Sequence, residues 1–210
     1  MTNKISKKLA LSLGNNLNGT NEDIEIWAYG LELLLNGIIK FAFIVSLAAI
    51  FGIFKATILS LITFAIFRHF GGGVHFSTYL RCLTSGIIIF LILGKISCFN
   101  IVISNYKFLF YITLFLGILT IAKWIPGDTK IKPMKNKEDR RKQKLKTTVV
   151  LIIWITIVQY LNRLNNIQYI LPIVLGAFTS FTFITPFGYW IINSIDKYLD
   201  KTKAKYGEVK

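Results

Sequence analysis

Apolar runs separated by short polar or strongly charged segments set the pattern of this chain: 26–54, 56–67, 76–99, 106–124, 147–161 and 167 to about 195. A hydrocarbon core about 30 Å thick takes roughly 20 apolar residues as a helix, so the pattern predicts an all-α, polytopic integral membrane protein of about six hydrophobic helices. The run from Ala56 to Phe67 reaches only ~18 Å at 1.5 Å per residue, and some of the segments are therefore expected to be short or re-entrant. A loop left at depth is tolerated only where protein or a water-filled cavity covers it. Pro172 and Pro186 are expected to break the last run. The chain reads as one membrane-embedded domain, 1–210, with a cytoplasmic or interfacial N-terminus (1–24), a basic cytoplasmic loop (125–146) and a basic C-terminal tail (196–210).

Polar positions interrupt this pattern at helical spacing in two places. Ile5, Leu9 and Leu13 recur beside Lys4, Lys7 and Lys8, with Gly14 and Asn15 as a stop. That spacing predicts a basic amphipathic helix on the membrane surface, the alternative being a frayed, solvated terminus. Glu32, Asn36 and Lys40 fall at i, i+4 and i+8 inside the first long apolar run and share one face. Such a stripe is expected to face protein or water, as a structural pair or as a contact for a partner; Glu32 is accordingly a candidate for substrate binding.

Charge then orients the helices. The chain is 53% hydrophobic with a mean hydropathy of +0.55 and a net charge of +15. The basic residues flank the apolar runs, which fits the positive-inside rule and anionic lipid headgroups and argues against nucleic acid as a partner. Placing all three basic zones in the cytoplasm requires an even number of crossings between each pair, and the apolar runs supply four before the central loop and two after it. Both termini are thus expected in the cytoplasm, and the segment from Arg68 to Cys82 returns to that side. The first apolar run opens only after about two dozen polar residues, so insertion is expected through the first span rather than a cleaved signal. Cys82 and Cys98 on one helix would stand ~24 Å apart, too far to bridge.

The chemistry gathers between 67 and 85. This stretch holds Gly71, Gly72 and Gly73, both histidines of the chain, Arg68, Arg81 and Cys82. A thiol with a nearby imidazole points to a nucleophile and its base. On one straight helix His75 and Cys82 would lie ~10 Å apart along the axis. His75 is therefore expected to precede the helix in a loop made pliable by the glycines, with Ser77 or Thr78 as the N-cap. Cys82 then sits near a helix start, where the macrodipole and Arg81 favour thiolate. A zinc site from His69, His75 and Cys82 lacks a fourth ligand, and the triple glycine lacks the lysine and threonine of a phosphate-binding loop.

The order Arg68, Gly73, His75 and Cys82 between short apolar helices, followed by a basic loop opening Trp124-Ile125-Pro126-Gly127-Asp128-Thr129-Lys130-Ile131-Lys132-Pro133, resembles the accessory gene regulator protein B (AgrB) family. The resemblance spans nearly the whole chain in hydropathy and length. It implies a membrane-embedded cysteine endopeptidase of the bacterial cell membrane, acting on an AgrD-like propeptide, the precursor of a cyclic quorum-sensing peptide. By motif it implies His75 as base, Cys82 as nucleophile, Arg68 and Gly73 as motif positions, and Lys130 and Lys132 as substrate-binding candidates. Ile131 interrupts that lysine cluster, and Gly127 stands where the family more usually has alanine. A homodimer is implied by the resemblance alone; no metal or other cofactor is expected. Residues read directly leave the oxyanion donor open among backbone N–H groups near Ser77, Arg68 and Ser85, and Asp128 is a candidate to orient His75. A peptide transporter lined by the Glu32 stripe and a metal-dependent hydrolase are the alternatives from other classes.

Overall fold

The computed structural model describes residues 2–17, 19–99, 105–127 and 136–207, with side chains as far as residue 201. Among these residues the regular elements are helices: α1 (Thr2–Leu17), α2 (Asn21–Ile50), α3 (Phe54–Gly71), α4 (Tyr79–Ile96), α5 (Tyr106–Lys123), α6 (Lys137–Arg163), α7 (Ile167–Ile184) and α8 (Pro186–Gly207). Six of them, α2 to α7, are long and apolar enough to cross a membrane. The protein is an all-α, multi-pass membrane protein. Its contacts divide it into two units, 1–47 and 48–210.

In the first unit α1 follows the periodicity read from its sequence, but Ile5, Leu9 and Leu13 point outward. The buried face is instead the small-residue row Ser6, Ala10 and Gly14; a Cβ on Gly14 would meet the Ile24 side chain at 2.6 Å. Small residues allow the backbone this approach, while the outward leucines leave an apolar face suited to the membrane surface. Thr20 starts α2 as a capping box: its hydroxyl accepts from the Asp23 amide at 3.2 Å, and the Asp23 carboxylate accepts from the Thr20 amide at 3.0 Å. The Asn3 side-chain amide donates to Glu32 at 2.7 Å. One member of the polar stripe thus ties α1 to α2.

The second unit is built around α7, in which eleven of eighteen residues are buried. A Cβ on Gly176 of α7 would stand 2.4 Å from the Ser60 carbonyl oxygen of α3, so these backbones nearly touch. The Ser60 hydroxyl completes the seam by donating to the Pro172 carbonyl at 3.0 Å. Close approach through small residues is the principal packing device available in lipid, where apolar burial gives little net drive. Toward one end Phe67 of α3 packs on Phe181 of α7 at 4.6 Å and on Trp154 of α6 at 6.1 Å, and Trp154 stacks on Phe110 of α5 at 5.3 Å. Phe67 is 1% exposed, and Arg68 follows it directly.

Three boundaries differ from the pattern. The second span runs on through Arg68, His69 and Phe70 to Gly71, about 27 Å of helix at 1.5 Å per residue, so it is not short. Charged residues in a last turn complement the helix dipole instead of ending the helix. The fifth span begins at Lys137, ten residues before Thr147, because Asn136 caps it, accepting from the Glu138 amide at 3.0 Å, and Glu138 and Asp139 occupy its first turn. Much of the expected basic loop is therefore helix. Pro172 stays inside α7, packed on all sides, as prolines in spanning helices do when neighbours re-satisfy the backbone. Pro186 does mark a break: α7 ends at Ile184, and Pro186 is the first residue of α8, where its missing N–H costs nothing.

Candidate active site

The final carbonyls of α3 have no partners within their own helix, and two other segments supply them. The Gln143 side-chain amide donates to the Phe70 carbonyl, and the Thr147 hydroxyl joins it at 3.2 Å, both from α6. The Gly127 amide donates to the Gly71 carbonyl at 2.8 Å, and the Gly127 carbonyl accepts from the Gly73 amide at 3.2 Å. Gly72 and Gly73 turn the chain out of α3 at φ of +74° and +118°. Only glycine adopts such angles without strain. Gly127 must be equally bare, since a Cβ there would lie 2.7 Å from the Gly73 nitrogen.

This turn carries the chain to the candidate residues. Arg68 reaches under it: its Nη1 donates to the Phe183 carbonyl in the last turn of α7 at 3.4 Å, and a Cβ on Gly73 would meet that nitrogen at 2.1 Å. The Val74 amide donates to the same carbonyl at 3.4 Å. His75 follows in the loop and is exposed. Thr78, with extended backbone (φ −125°, ψ 150°), caps α4 by accepting from the Arg81 amide at 3.4 Å. Cys82 is the fourth residue of α4 and half-buried, and Ser85 lies one turn further, also half-buried. The expected order, imidazole in the loop and thiol at the helix start, is the order observed.

Electrostatics assigns the arginines differently from the sequence. Arg68, fourteen positions before Cys82, has its guanidinium within Coulombic range of the Cys82 thiol and of the Tyr189 phenol. Tyr79 also lies within range of the thiol. Arg81, the neighbour in sequence, is neutralised: Nη1 pairs with Asp196 at 2.9 Å and Nη2 with Asp200 at 2.5 Å, both on α8. Adjacent positions on a helix point about 100° apart, so sequence adjacency does not aim Arg81 at the thiol. The Ser77 amide donates to the other Asp196 oxygen at 2.9 Å, and the Ser77 hydroxyl accepts from Arg81 at 3.1 Å. Burial pushes the Asp196 carboxyl up, but the bonds from Arg81 and Ser77 outweigh it and hold the group below the usual aspartate value. Neither Asp196 nor Asp200 stood out in the sequence; their signal is an i, i+4 pair of acids at the start of a lysine-rich tail.

Glu32 belongs to the first unit, bonded to Asn3. Lys130, Lys132 and Asp128 lie outside the described residues. Among the described residues no three His, Cys, Asp or Glu side chains group as metal ligands, and Cys98 is exposed, its thiol donating to the Gly94 carbonyl at 3.4 Å.

Comparison with known proteins adds an independent line. The family model described as accessory gene regulator B matches residues 6–192. The putative AgrB-like protein 2 of Clostridium perfringens is 28% identical over 96% of this chain and 99% of its own length. The accessory gene regulator protein B of Staphylococcus aureus strain Newman is 28% identical over 60% of this chain and 65% of its own. No solved structure matches. With six apolar spans, a match over most of its length, and the Arg68, Gly73, His75 and Cys82 order folded around one glycine turn, this chain belongs to the AgrB family, the multi-pass membrane proteins of quorum-sensing peptide processing.

Proposed function

We propose that this protein is a membrane-embedded cysteine endopeptidase that cleaves an AgrD-like propeptide through a thioester on Cys82 and passes the acyl group on to ring closure. The observation that carries the reading is the placement of Cys82 in the first turns of α4, within Coulombic range of Arg68, with His75 in the loop immediately before.

His75 takes the proton from the Cys82 sulfur, and the thiolate attacks a backbone carbonyl of the propeptide. As the tetrahedral adduct collapses the C–N bond breaks, and the leaving amine takes its proton from His75. The N-terminal part remains as a thioester on Cys82. An internal thiol of the substrate then attacks the same carbonyl, forming a thiolactone and returning Cys82; an internal hydroxyl gives a lactone instead. The first exchange trades thioester for thioester, and a site shielded from water protects the acyl group from hydrolysis meanwhile. Arg68, with Ser85 one turn beyond the thiol, faces the developing oxyanion, whereas the Ser77 amide is already committed to Asp196. Gly73 admits Arg68 to this position by lacking a side chain. Glu32, Lys130 and Lys132 bind the propeptide, and the basic zones hold both termini at the cytoplasmic, anionic lipid surface.

Wild-type and Cys82→Ala protein in liposomes, each incubated with an AgrD-like propeptide, separate this from transport. Mass spectrometry is expected to find an adduct at Cys82 equal in mass to the N-terminal fragment, and intact propeptide with the variant. Equal cleavage by the variant would overturn the dyad.

A further inference from the structure

The C-terminal helix α8 is not among the candidate spans, and its residues Asp196 and Asp200 lie beyond the 6–192 family match. Yet these two carboxylates, one helical turn apart, converge on Arg81 at the start of the helix that carries Cys82. Asp196 divides its oxygens. Oδ1 takes the Arg81 guanidinium at 2.9 Å, just inside α4, and Oδ2 takes the Ser77 amide at 2.9 Å, just outside it. Arg81 Nη1 also reaches the Asp196 carbonyl at 3.3 Å and the Ser77 hydroxyl at 3.1 Å. One carboxylate therefore grips both sides of the Thr78 cap. His75 lies two residues before the first grip, and Cys82 one residue after the second.

The two arms differ in setting. The Arg81 and Asp196 side chains are 14% and 13% exposed, while Asp200 is 66% exposed. A sheltered, hydrogen-bonded pair resists water and salt, whereas an exposed one is screened. The geometry points to Asp196 as a positioning residue for the His75–Cys82 site: α8 is a latch that fixes where the loop enters α4, and Asp200 is a secondary arm. Asp196 touches no reacting atom and acts through Ser77 and Arg81. The inference rests on the peptidase reading, because position matters only if the two residues react together.

The test compares Asp196→Asn, Asp196→Glu and Asp200→Ala with wild type in liposomes, by cleavage kinetics and by amide hydrogen exchange. Asp196→Asn keeps the size of the side chain and removes its charge. Its kcat is expected to fall about 10²-fold, the penalty for reacting groups displaced by about 1 Å, with KM within threefold of wild type. Exchange is expected to rise at least tenfold in residues 75–83 alone, and Asp196→Glu is expected to recover a third or more of the rate. Asp200→Ala is expected to lose less than threefold. A kcat for Asp196→Asn within threefold of wild type, or exchange raised across the whole chain, overturns the latch. If Asp196→Asn does not insert, Arg81→Gln, which removes the same pair from the α4 side, decides: exchange accelerated in 75–83 alone supports the latch, and none overturns it. Cys82→Ala run alongside keeps the two readings apart: loss of cleavage there with normal Asp196→Asn kinetics removes the latch and leaves the peptidase, whereas cleavage by Cys82→Ala removes the peptidase and the positioning role with it.

Discussion

Gly73→Ala puts the glycine turn under direct test. An L residue at φ +118° stands in a sparsely populated region that costs on the order of 1–3 kcal/mol. The new Cβ would lie 2.1 Å from Arg68 Nη1 and 3.0 Å from the Phe183 carbonyl oxygen. The guanidinium must move away, and its bond to that carbonyl goes with it, about 1.5–3 kcal/mol for a bond to a charged group. Together these reach roughly 2.5–6 kcal/mol of local penalty, which the chain avoids by shifting the loop that carries His75. Cleavage of propeptide in liposomes, normalised to inserted protein, is expected to fall at least about 10²-fold. Gly30→Ala in α2 is the control, since nothing lies within 4 Å of the Cβ it adds and alanine favours a helix by about 0.5–1 kcal/mol. Near-normal cleavage by Gly73→Ala, within threefold of the control, would refute the view that Arg68 and the turn depend on a missing side chain.

Gly176→Ala tests the central seam: its Cβ would meet the Ser60 backbone oxygen at 2.4 Å, so α3 and α7 must part, at a cost of about 1–3 kcal/mol, and a lower midpoint of thermal unfolding in detergent is expected. The pH response of the latch follows from Asp196, whose carboxyl lies below the ordinary value of 3.8. A depressed acid contributes stability above its unfolded pKa and loses it as pH falls through its folded one. Exchange protection of residues 75–83 is therefore expected to be level from pH 5 to 8 and to fail only below about 3.8; failure between pH 5 and 7 contradicts the assignment.

The sequence by itself determined the class of this protein and the linear order of its site. Six runs of apolar residues with charged flanks leave a bilayer as their one suitable solvent, and helix is the structure that satisfies their backbone there. The glycines of 71–73, the loop histidine, the Thr78 cap and the thiol just inside α4 were legible because each is a local rule of backbone geometry or capping. Helix ends were less so: Asn136 with Glu138 and Asp139 was a readable start signal, masked by the basic residues around it. Tertiary structure alone decided which charges meet. Arg68 comes within range of Cys82 because the glycine turn folds the chain back past the end of α3, while Arg81, beside the thiol in sequence, faces Asp196 and Asp200 more than a hundred positions away. It also decided that Gly127 closes on Gly72 and Gly73 and that Gly176 closes on Ser60. Contacts of that kind depend on which helix faces join, and a hydrophobic period specifies that a face is buried without naming its neighbour.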